Sequence, residues 1–142
     1  MEQQTYASHS RLVLGFHGIL FLMIFSFLIG SVMNLINSAK ENLYSASLLV
    51  LLSIIVLLLS YYVRAFALKA QDRAIKAEES LRYFILTGKS LPVEVTIRQI
   101  IGLRFASDDE FVGLVRKAIE EKLSEKDIKK TIKNWKADNY RV

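Results

Sequence analysis

Two histidines near the N-terminus are the residues of this chain best suited to metal or proton chemistry. His9 and His17 lie eight residues apart, so on a continuous helix their rings fall within about 80° of each other. Paired imidazoles can ligate a metal or haem, or relay protons. Because the chain has no cysteine, a zinc or haem site would need other ligands or a second chain. We favour a structural role for His17, hydrogen-bonded near Tyr61 or Tyr62, and keep metal, haem or proton handling as the alternative.

A short polar run, Thr-Gly-Lys-Ser at 87–90, resembles the end of a phosphate-binding loop. The first glycine of that motif should stand at position 83, where the chain has Tyr83, and no strand is predicted before it. A helix-ending glycine is the better interpretation. The neighbouring carboxylates of Asp108 and Asp109 fit stabilisation of a helix N-terminus better than acid–base chemistry. We therefore predict no catalytic residue, no metal site and no cofactor.

The C-terminal region carries many basic side chains around one tryptophan. We predict contacts with a protein partner or with lipid for Arg98, Arg104, Lys129, Lys130, Lys133, Trp135, Lys136 and Arg141. Anionic lipid head groups are favoured if the region is tethered close to a membrane, where each basic residue contributes on the order of 1 kcal/mol. Interleaved acidic residues disfavour nucleic acid, and a solvated face is the commonest explanation of such a charge run.

Two apolar segments must position these residues. Residues 12–39 and 42–63 carry no charged side chain, and only Lys40 and Glu41 lie between them. Each segment exceeds the roughly 20 residues that a helix needs to cross a hydrocarbon core about 30 Å thick. The sequence therefore predicts a hairpin of two transmembrane helices, at about 12–36 and 43–63.

The basic residues that flank this hairpin predict its orientation. Arg11 precedes the first span, and Lys40 is the only basic residue in the turn. Five basic residues follow the second span closely: Arg64, Lys69, Arg73, Lys76 and Arg82. Because the side with more Lys and Arg stays in the cytoplasm, both termini are expected to be cytoplasmic.

The second helix is expected to continue beyond the membrane. Residues 64–86 contain no glycine or proline and are rich in good helix formers, which predicts one helix from Leu43 to Leu86. Small residues recur along it every seven positions, at Ala46, Ser53, Ser60, Ala67 and Ala74. Such a repeat indicates close packing against another helix, either the first span or a different chain. The first span has its own small residues at Gly15, Ser26 and Gly30.

Three short amphipathic helices are predicted after the break at 87–92. The first covers about 93–104, Ser107 with Glu110 predicts a capping box for the second, and Ser124 with Asp127 a weaker one for the third. The predicted buried faces are Ile97, Ile100, Ile101 and Phe105, then Phe111, Leu114, Val115, Ala118 and Ile119, then Ile128, Ile132 and Trp135. The predicted exposed faces carry Glu94, Arg98 and Gln99 and, on the last helix, Lys126, Lys129, Lys130, Lys133 and Lys136.

These patterns together predict an all-α membrane protein. Its parts are an N-terminal segment with the transmembrane hairpin at 1–63, a cytoplasmic helical stalk at 64–86, and a cytoplasmic domain of about three short helices at 87–142. Roughly 80 residues outside the bilayer are too few for a large enzyme fold, so we predict that the chain is not an enzyme.

Three stretches of the chain resemble an uncharacterised family of small bacterial two-span membrane proteins. They are Phe66–Ala74, Thr96–Asp108 and Ile128–Val142, and the two histidines fit the same pattern. The resemblance implies a bacterial cytoplasmic membrane and no known activity. The family often has a proline between the histidines, whereas this chain reads Leu-Val-Leu-Gly-Phe at 12–16, which favours an earlier start of the first helix.

The leading functional hypothesis is a non-enzymatic, membrane-anchored helical protein that serves as a protein-binding scaffold or as an accessory subunit of a larger bacterial membrane complex. The expected partners are an anionic bilayer and either other membrane subunits or further copies of this chain. The alternatives are a metal, haem or proton helper that uses His9 and His17, and a membrane-tethered nucleic-acid binder, which ranks last.

Overall fold

The regular elements of the chain are all helical within residues 13–136, the part described by the computed structural model. The predicted all-helical fold is confirmed for these residues. In chain order, the elements are a π-helical turn Gly15–Leu20, α1 at Phe21–Asn37, a 3-10 turn Lys40–Asn42, α2 at Leu43–Thr87, α3 at Ile97–Leu103, α4 at Asp108–Glu120 and α5 at Glu125–Thr131.

The first two helices form an antiparallel hairpin with a tight connection. Ser38 and Ala39 adopt extended backbone conformations, which end α1 and reverse the chain. The last carbonyls of a helix need partners, and Asn37 Nδ2 donates to Met33 O at 2.7 Å while Ser38 Oγ donates to Asn34 O at 2.7 Å. By length and composition, Gly15–Asn37 and Lys40–Thr87 are both long and apolar enough to cross a membrane.

The second helix, α2, runs without interruption for 45 residues. This confirms the prediction of one helix from Leu43 to about Leu86. It ends where Gly88 adopts a left-handed conformation with φ of +69°, which a residue without Cβ takes at no steric cost. The Gly88 N–H donates to Phe84 O at 2.7 Å, so the glycine at 87–90 ends a helix, as predicted.

The next helix, α3, is shorter than the predicted 93–104. A turn closed by the Val95 N–H and Pro92 O, 3.2 Å apart, uses the residues before it. Thr96 then caps the helix, because its Oγ1 accepts from Gln99 N–H while Gln99 Oε1 accepts from Thr96 N–H at 3.0 Å. This reciprocal capping box fixes the first turn of α3.

The capping box predicted for α4 is wrong. Ser107 is the N-cap residue, but its side chain accepts no capping hydrogen bond, and its buried Oγ has no partner among the described residues. The Glu110 carboxylate instead accepts from the backbone N–H groups of Lys133 and Asn134, at 3.2 and 3.1 Å. The Glu110 carboxylate, which the capping-box pattern assigns to the start of α4, therefore accepts hydrogen bonds from a segment that is distant in sequence.

The last helix, α5, begins as predicted and ends early. Ser124 Oγ accepts from Asp127 N–H at 3.2 Å. The helix stops at Thr131 because Ile132 is extended, so two of the five lysines predicted on one helix face, Lys133 and Lys136, lie beyond that helix. Residues 132–136 form a C-terminal strap instead, with an antiparallel bridge between Ala106 and Trp135.

The described chain divides into two compact units, the hairpin at 13–67 and a helical unit at 68–136. The C-terminal half of α2 contributes to the core of the helical unit, together with α3, α4, α5 and the strap. That core contains Ile75, Tyr83, Val95, Ile100, Leu103, Phe105, Ala106, Phe111, Leu114, Val115, Ala118, Ile128 and Ile132. Gly102 lies where α3 approaches α5, and a Cβ there would stand 3.1 Å from the Glu125 carbonyl oxygen.

Candidate interaction surfaces

The contact between α1 and α2 in the hairpin is built around two buried serines. Ser53 Oγ donates to Val50 O at 2.7 Å and Ser31 Oγ donates to Leu28 O at 2.9 Å, each within its own helix, and the two hydroxyl oxygens lie 3.2 Å apart. Ala46 on α2 and Ile24 on α1 are buried on the same contact. Small side chains let the two backbones approach, and the carbonyl acceptors within each helix satisfy both hydroxyl groups inside an apolar hairpin.

The seven-residue edge on α2 is only partly covered by this contact. Ala46 and Ser53 are buried and Ser60 is half-buried, whereas Ala67 and Ala74 are exposed. The small residues expected on the first helix are not its contact positions. A Cβ added to Gly15 or Gly30 would meet no atom within 4 Å, and Ser26 is exposed. The contact positions of α1 are Ile24 and Ser31, which are themselves seven residues apart.

The serine pair predicts where an engineered disulfide will form. Because the chain has no cysteine, a Ser31→Cys/Ser53→Cys variant should oxidise to an intramolecular disulfide without a competing thiol. In the matched control, Ser31→Cys/Ser47→Cys, the second position is exposed and its Oγ bonds within α2, so both thiols should stay free. Maleimide labelling after mild oxidation measures the free thiols that remain in each variant. Equal labelling of the two variants would contradict this helix pairing.

His17 lies in the π-helical turn and contacts its own segment. Its Nδ1 lies 3.3 Å from Val13 N and 3.2 Å from Val13 O, and its ring packs edge-on against Phe16. The expected hydrogen bond near Tyr61 or Tyr62 is therefore wrong. His9 lies outside the described residues, among which no group of three or more His, Asp or Glu is placed to hold a metal ion. Metal or proton chemistry at the two histidines stays a hypothesis.

Arg82 is a charged residue of the helical unit with several hydrogen-bond partners. Its side chain is only 11% exposed and donates to Asp108 Oδ1 at 2.6 Å, to Ala106 O at 2.7 Å and to Glu79 Oε2 at 3.1 Å. Its guanidinium also lies 4.3 Å from the centre of the Phe111 ring. The fork of donors on one side chain thus joins α2 to the start of α4.

Glu79 is the buried acidic partner in this cluster. Burial raises the pKa of its carboxyl above the ordinary value, and the charge of nearby Glu78 acts in the same direction. Arg82 and Lys136 oppose the rise by favouring the charged form. The carboxyl is therefore a group whose protonation is coupled to the packing of α2 against the rest of the helical unit.

The raised pKa of Glu79 predicts a pH dependence of stability. The folded state binds this proton more tightly than the unfolded state, so the contribution of Glu79 to stability falls as pH rises from about 4.5 through the raised pKa. Glu79→Gln should remove this decline. Urea unfolding of the whole chain in mild detergent, followed by the fluorescence of its single tryptophan, gives the free energy of unfolding as a function of pH for the wild type and for Glu79→Gln. Parallel profiles for the two proteins would contradict the coupling.

A groove of about 720 Å³ lies between the start of α3 and the loop that joins α4 to α5. Side chains of both signs line it, including Glu94, Arg98, Lys122 and Glu125. Gln99 forms part of the lining. The prediction that Gln99 is exposed is wrong, because its side chain is buried. Its Nε2 donates to the carbonyls at 118 and 123, at 2.8 and 3.1 Å. The groove has mixed charge and no excess of positive groups that would select an anion.

The residues predicted to contact a partner or lipid are not on one surface. Lys129 is buried. Its Nζ donates to Glu125 Oε1 at 2.6 Å and lies 5.3 Å from the Phe105 ring centre. The Trp135 ring is half-buried against Phe105, with 5.1 Å between ring centres. Arg104 is half-buried, with its guanidinium 4.7 Å from the same ring. The exposed members are Arg98, Lys130, Lys133 and Lys136, and Arg141 lies outside the described residues.

Sequence reasoning missed three residues that organise the structure. The sequence pattern identifies Arg82 only as a basic residue near a span, does not include Ser31 among the small contact positions, and places Gln99 on a solvated face. Two of them leave a readable signal. Thr96 and Gln99 have the spacing of a capping box, and Ser31 follows Ile24 by seven residues.

A family model described as a family of unknown function (DUF6526) matches residues 1–142. No curated protein and no solved structure matches the chain.

Proposed function

We propose that this chain, which belongs to the DUF6526 family of unknown function, is a non-enzymatic membrane protein whose helical unit binds other proteins as a scaffold or accessory subunit. The hairpin anchors the chain in a bacterial cytoplasmic membrane with both termini in the cytoplasm. The helical unit then lies next to the inner leaflet, where partner subunits and anionic head groups are within reach.

The observation that carries this proposal is the exposed apolar surface of the hairpin. Few side chains of either helix are buried inside the chain, and large apolar groups point outwards on all sides. Examples on α1 are Phe21, Leu22 and Met23, and examples on α2 are Leu51, Leu58 and Leu59. A helix that is apolar all round needs an apolar environment, and a bilayer supplies one over the whole length of such a hairpin.

The helical unit supports the binding role. Some of its charged groups are paired with each other, as in the Arg82 cluster and in the pair of Lys129 with Glu125. The basic residues Lys130, Lys133 and Lys136 are exposed and are proposed to meet an acidic protein surface or anionic lipid.

The test is the mass of the complex that the chain forms at natural expression level, extracted in mild detergent and measured by native mass spectrometry. Multiples of 16.2 kDa would support a self-assembling scaffold. Stoichiometric larger proteins would support an accessory subunit. A single chain of 16.2 kDa, without partners across a range of mild detergents, would contradict the proposal.

A further inference from the structure

The helical unit exposes large apolar side chains on one face of α2. Leu81 is 60% exposed, Phe84 is 54% exposed and Ile85 is 72% exposed. Their spacing of three and four residues places them side by side, so they form a contiguous patch rather than scattered surface groups. A patch of this kind outside the apolar hairpin indicates an interaction surface.

The core of the helical unit lies on the opposite side of α2 and does not cover this patch. Glu79 and Tyr83 are buried in the unit. Each lies two residues from Leu81, which corresponds to a rotation of about 200° around the helix. The patch is therefore the outer face of the same helix that supplies Ile75 and Tyr83 to the core.

The patch continues towards the N-terminus of α2 as a regular apolar seam. Exposed apolar residues alternate at intervals of four and three, at Ala70, Ala74, Ala77, Leu81 and Phe84. A repeat that averages 3.5 residues is the pattern of a left-handed coiled coil, with Ala74 and Leu81 at a positions and Ala70, Ala77 and Phe84 at d positions. The alanines allow close approach of a second helix, and Leu81 and Phe84 supply the larger contact area.

The charges beside the seam fit a second copy of the same helix. In this register Arg73 occupies a g position and Glu78 the following e position, and both residues are exposed. In a parallel pair of helices, a g residue of one chain faces the e residue five positions later on the other. Arg73 of each copy would thus face Glu78 of the other, which gives two attractive pairs related by symmetry.

We propose that the seam is the interface of a parallel homodimer, in which the α2 helices of two copies form a short coiled coil over residues 70–84. The parallel direction rests on the proposed membrane anchoring, because two copies inserted with the same topology present α2 in the same direction. The seam and its charge pattern are properties of the helical unit alone.

Cysteine cross-linking in intact membranes tests this interface directly, since the chain has no native cysteine. Ala77→Cys should oxidise rapidly to a disulfide-linked species of twice 16.2 kDa, because d residues of a parallel pair face each other. Ala70→Cys and Ala74→Cys should do the same. The matched control is Lys76→Cys, an exposed neighbour that lies off the seam.

A charge exchange gives a second readout in the Ala77→Cys background. Arg73→Glu should slow cross-linking roughly tenfold, because it replaces two attractive pairs by two repulsive ones. Glu78→Arg should have a similar effect. The combination of Arg73→Glu with Glu78→Arg should restore the original rate, which a merely structural role of either residue would not explain.

Three outcomes would overturn the dimer. The first is cross-linking of Ala77→Cys that is no faster than that of Lys76→Cys. The second is cross-linking at one seam position only, which indicates an antiparallel contact. The third is capture of a different protein at the seam. Fractionation of the same samples keeps the two proposals separate. Chain recovered outside the membrane contradicts the anchoring, whereas membrane-bound chain without seam cross-links contradicts the dimer alone.

Discussion

Replacing Arg82 by methionine is expected to lower the free energy of unfolding of the helical unit by about 3–5 kcal/mol, the cost of removing one partner from a buried ion pair. The methionine keeps much of the aliphatic volume but donates no hydrogen bond. The buried carboxylate of Glu79 and the carbonyl of Ala106 would each lose a donor, and the ring of Phe111 would lose the cation above it.

Urea unfolding of the whole chain in mild detergent measures this loss through the fluorescence of Trp135. Arg98→Met is the matched control, since Arg98 is 77% exposed at its side chain and lies 3.7 Å from its acidic partner Glu125. Exposed pairs contribute about 0–1 kcal/mol, so the control should unfold close to the wild type. Equal shifts for the two variants would contradict the role given to Arg82.

Truncation of Phe105 to alanine is the second large effect, with an expected cost of about 3–5 kcal/mol for a fully buried phenylalanine. The Phe105 side chain is inaccessible to solvent and packs against Trp135 of the strap, with Arg104 and Lys129 beside the ring. A cavity at this point would loosen the strap as well as the contact between α3 and α5.

Far-UV circular dichroism during urea unfolding reads this second effect independently of the tryptophan, whose surroundings change in the variant. Val93→Ala is the control, because Val93 is an apolar residue of the same unit but 95% exposed. The control should stay within about 0.5 kcal/mol of the wild type. If the urea concentration at the unfolding midpoint were as high for Phe105→Ala as for Val93→Ala, the packing of the strap would not depend on the Phe105 ring.

Periodic patterns predicted the parts of the fold that local physics decides. The stripe from Phe111 to Ala118 is buried as expected, because an amphipathic helix next to apolar neighbours has one low-energy orientation. The long helix α2 and its end at Gly88 also followed from composition, since residues 64–86 contain no helix breaker.

The capping patterns show where local reasoning stops. Thr96 with Gln99 forms a capping box, whereas the equivalent pair Ser107 with Glu110 does not. The difference comes from the strap, whose N–H groups at 133 and 134 need an acceptor and take the Glu110 carboxylate. A pattern of four residues contains no information about a segment more than twenty positions away.

The end of α5 has the same kind of cause. No glycine or proline occurs between 125 and 136, so local propensity favours one longer helix. The chain leaves the helix at Ile132 because the backbone of the strap bonds to the segment between α3 and α4. Asn134 O accepts from Ser107 N–H at 3.0 Å, and Lys136 N–H donates to Phe105 O at 2.8 Å.

Pairings between distant residues were the least predictable part of the candidate surfaces. The seven-residue repeat on α2 includes Ser53, which contacts α1 through Ser31. The sequence signal for Ser31 is its spacing of seven residues from Ile24, and this spacing does not distinguish Ser31 from other small residues of α1 until the contact at Ile24 is known. Arg82 likewise looks like any basic residue on a helix, and only the fold brings Asp108 and Ala106 to it.

The most direct test of the central claim, that the hairpin spans a membrane and leaves the helical unit on the side of the termini, is cysteine accessibility in intact bacterial cells. Asn42→Cys lies in the turn and Lys89→Cys lies just after α2, and both positions are exposed. We expect an impermeant maleimide to label Asn42→Cys from outside and Lys89→Cys only after permeabilisation, with both proteins retained in the membrane pellet at alkaline pH. Labelling of both positions from the same side, or release of the chain by alkaline extraction, would contradict it.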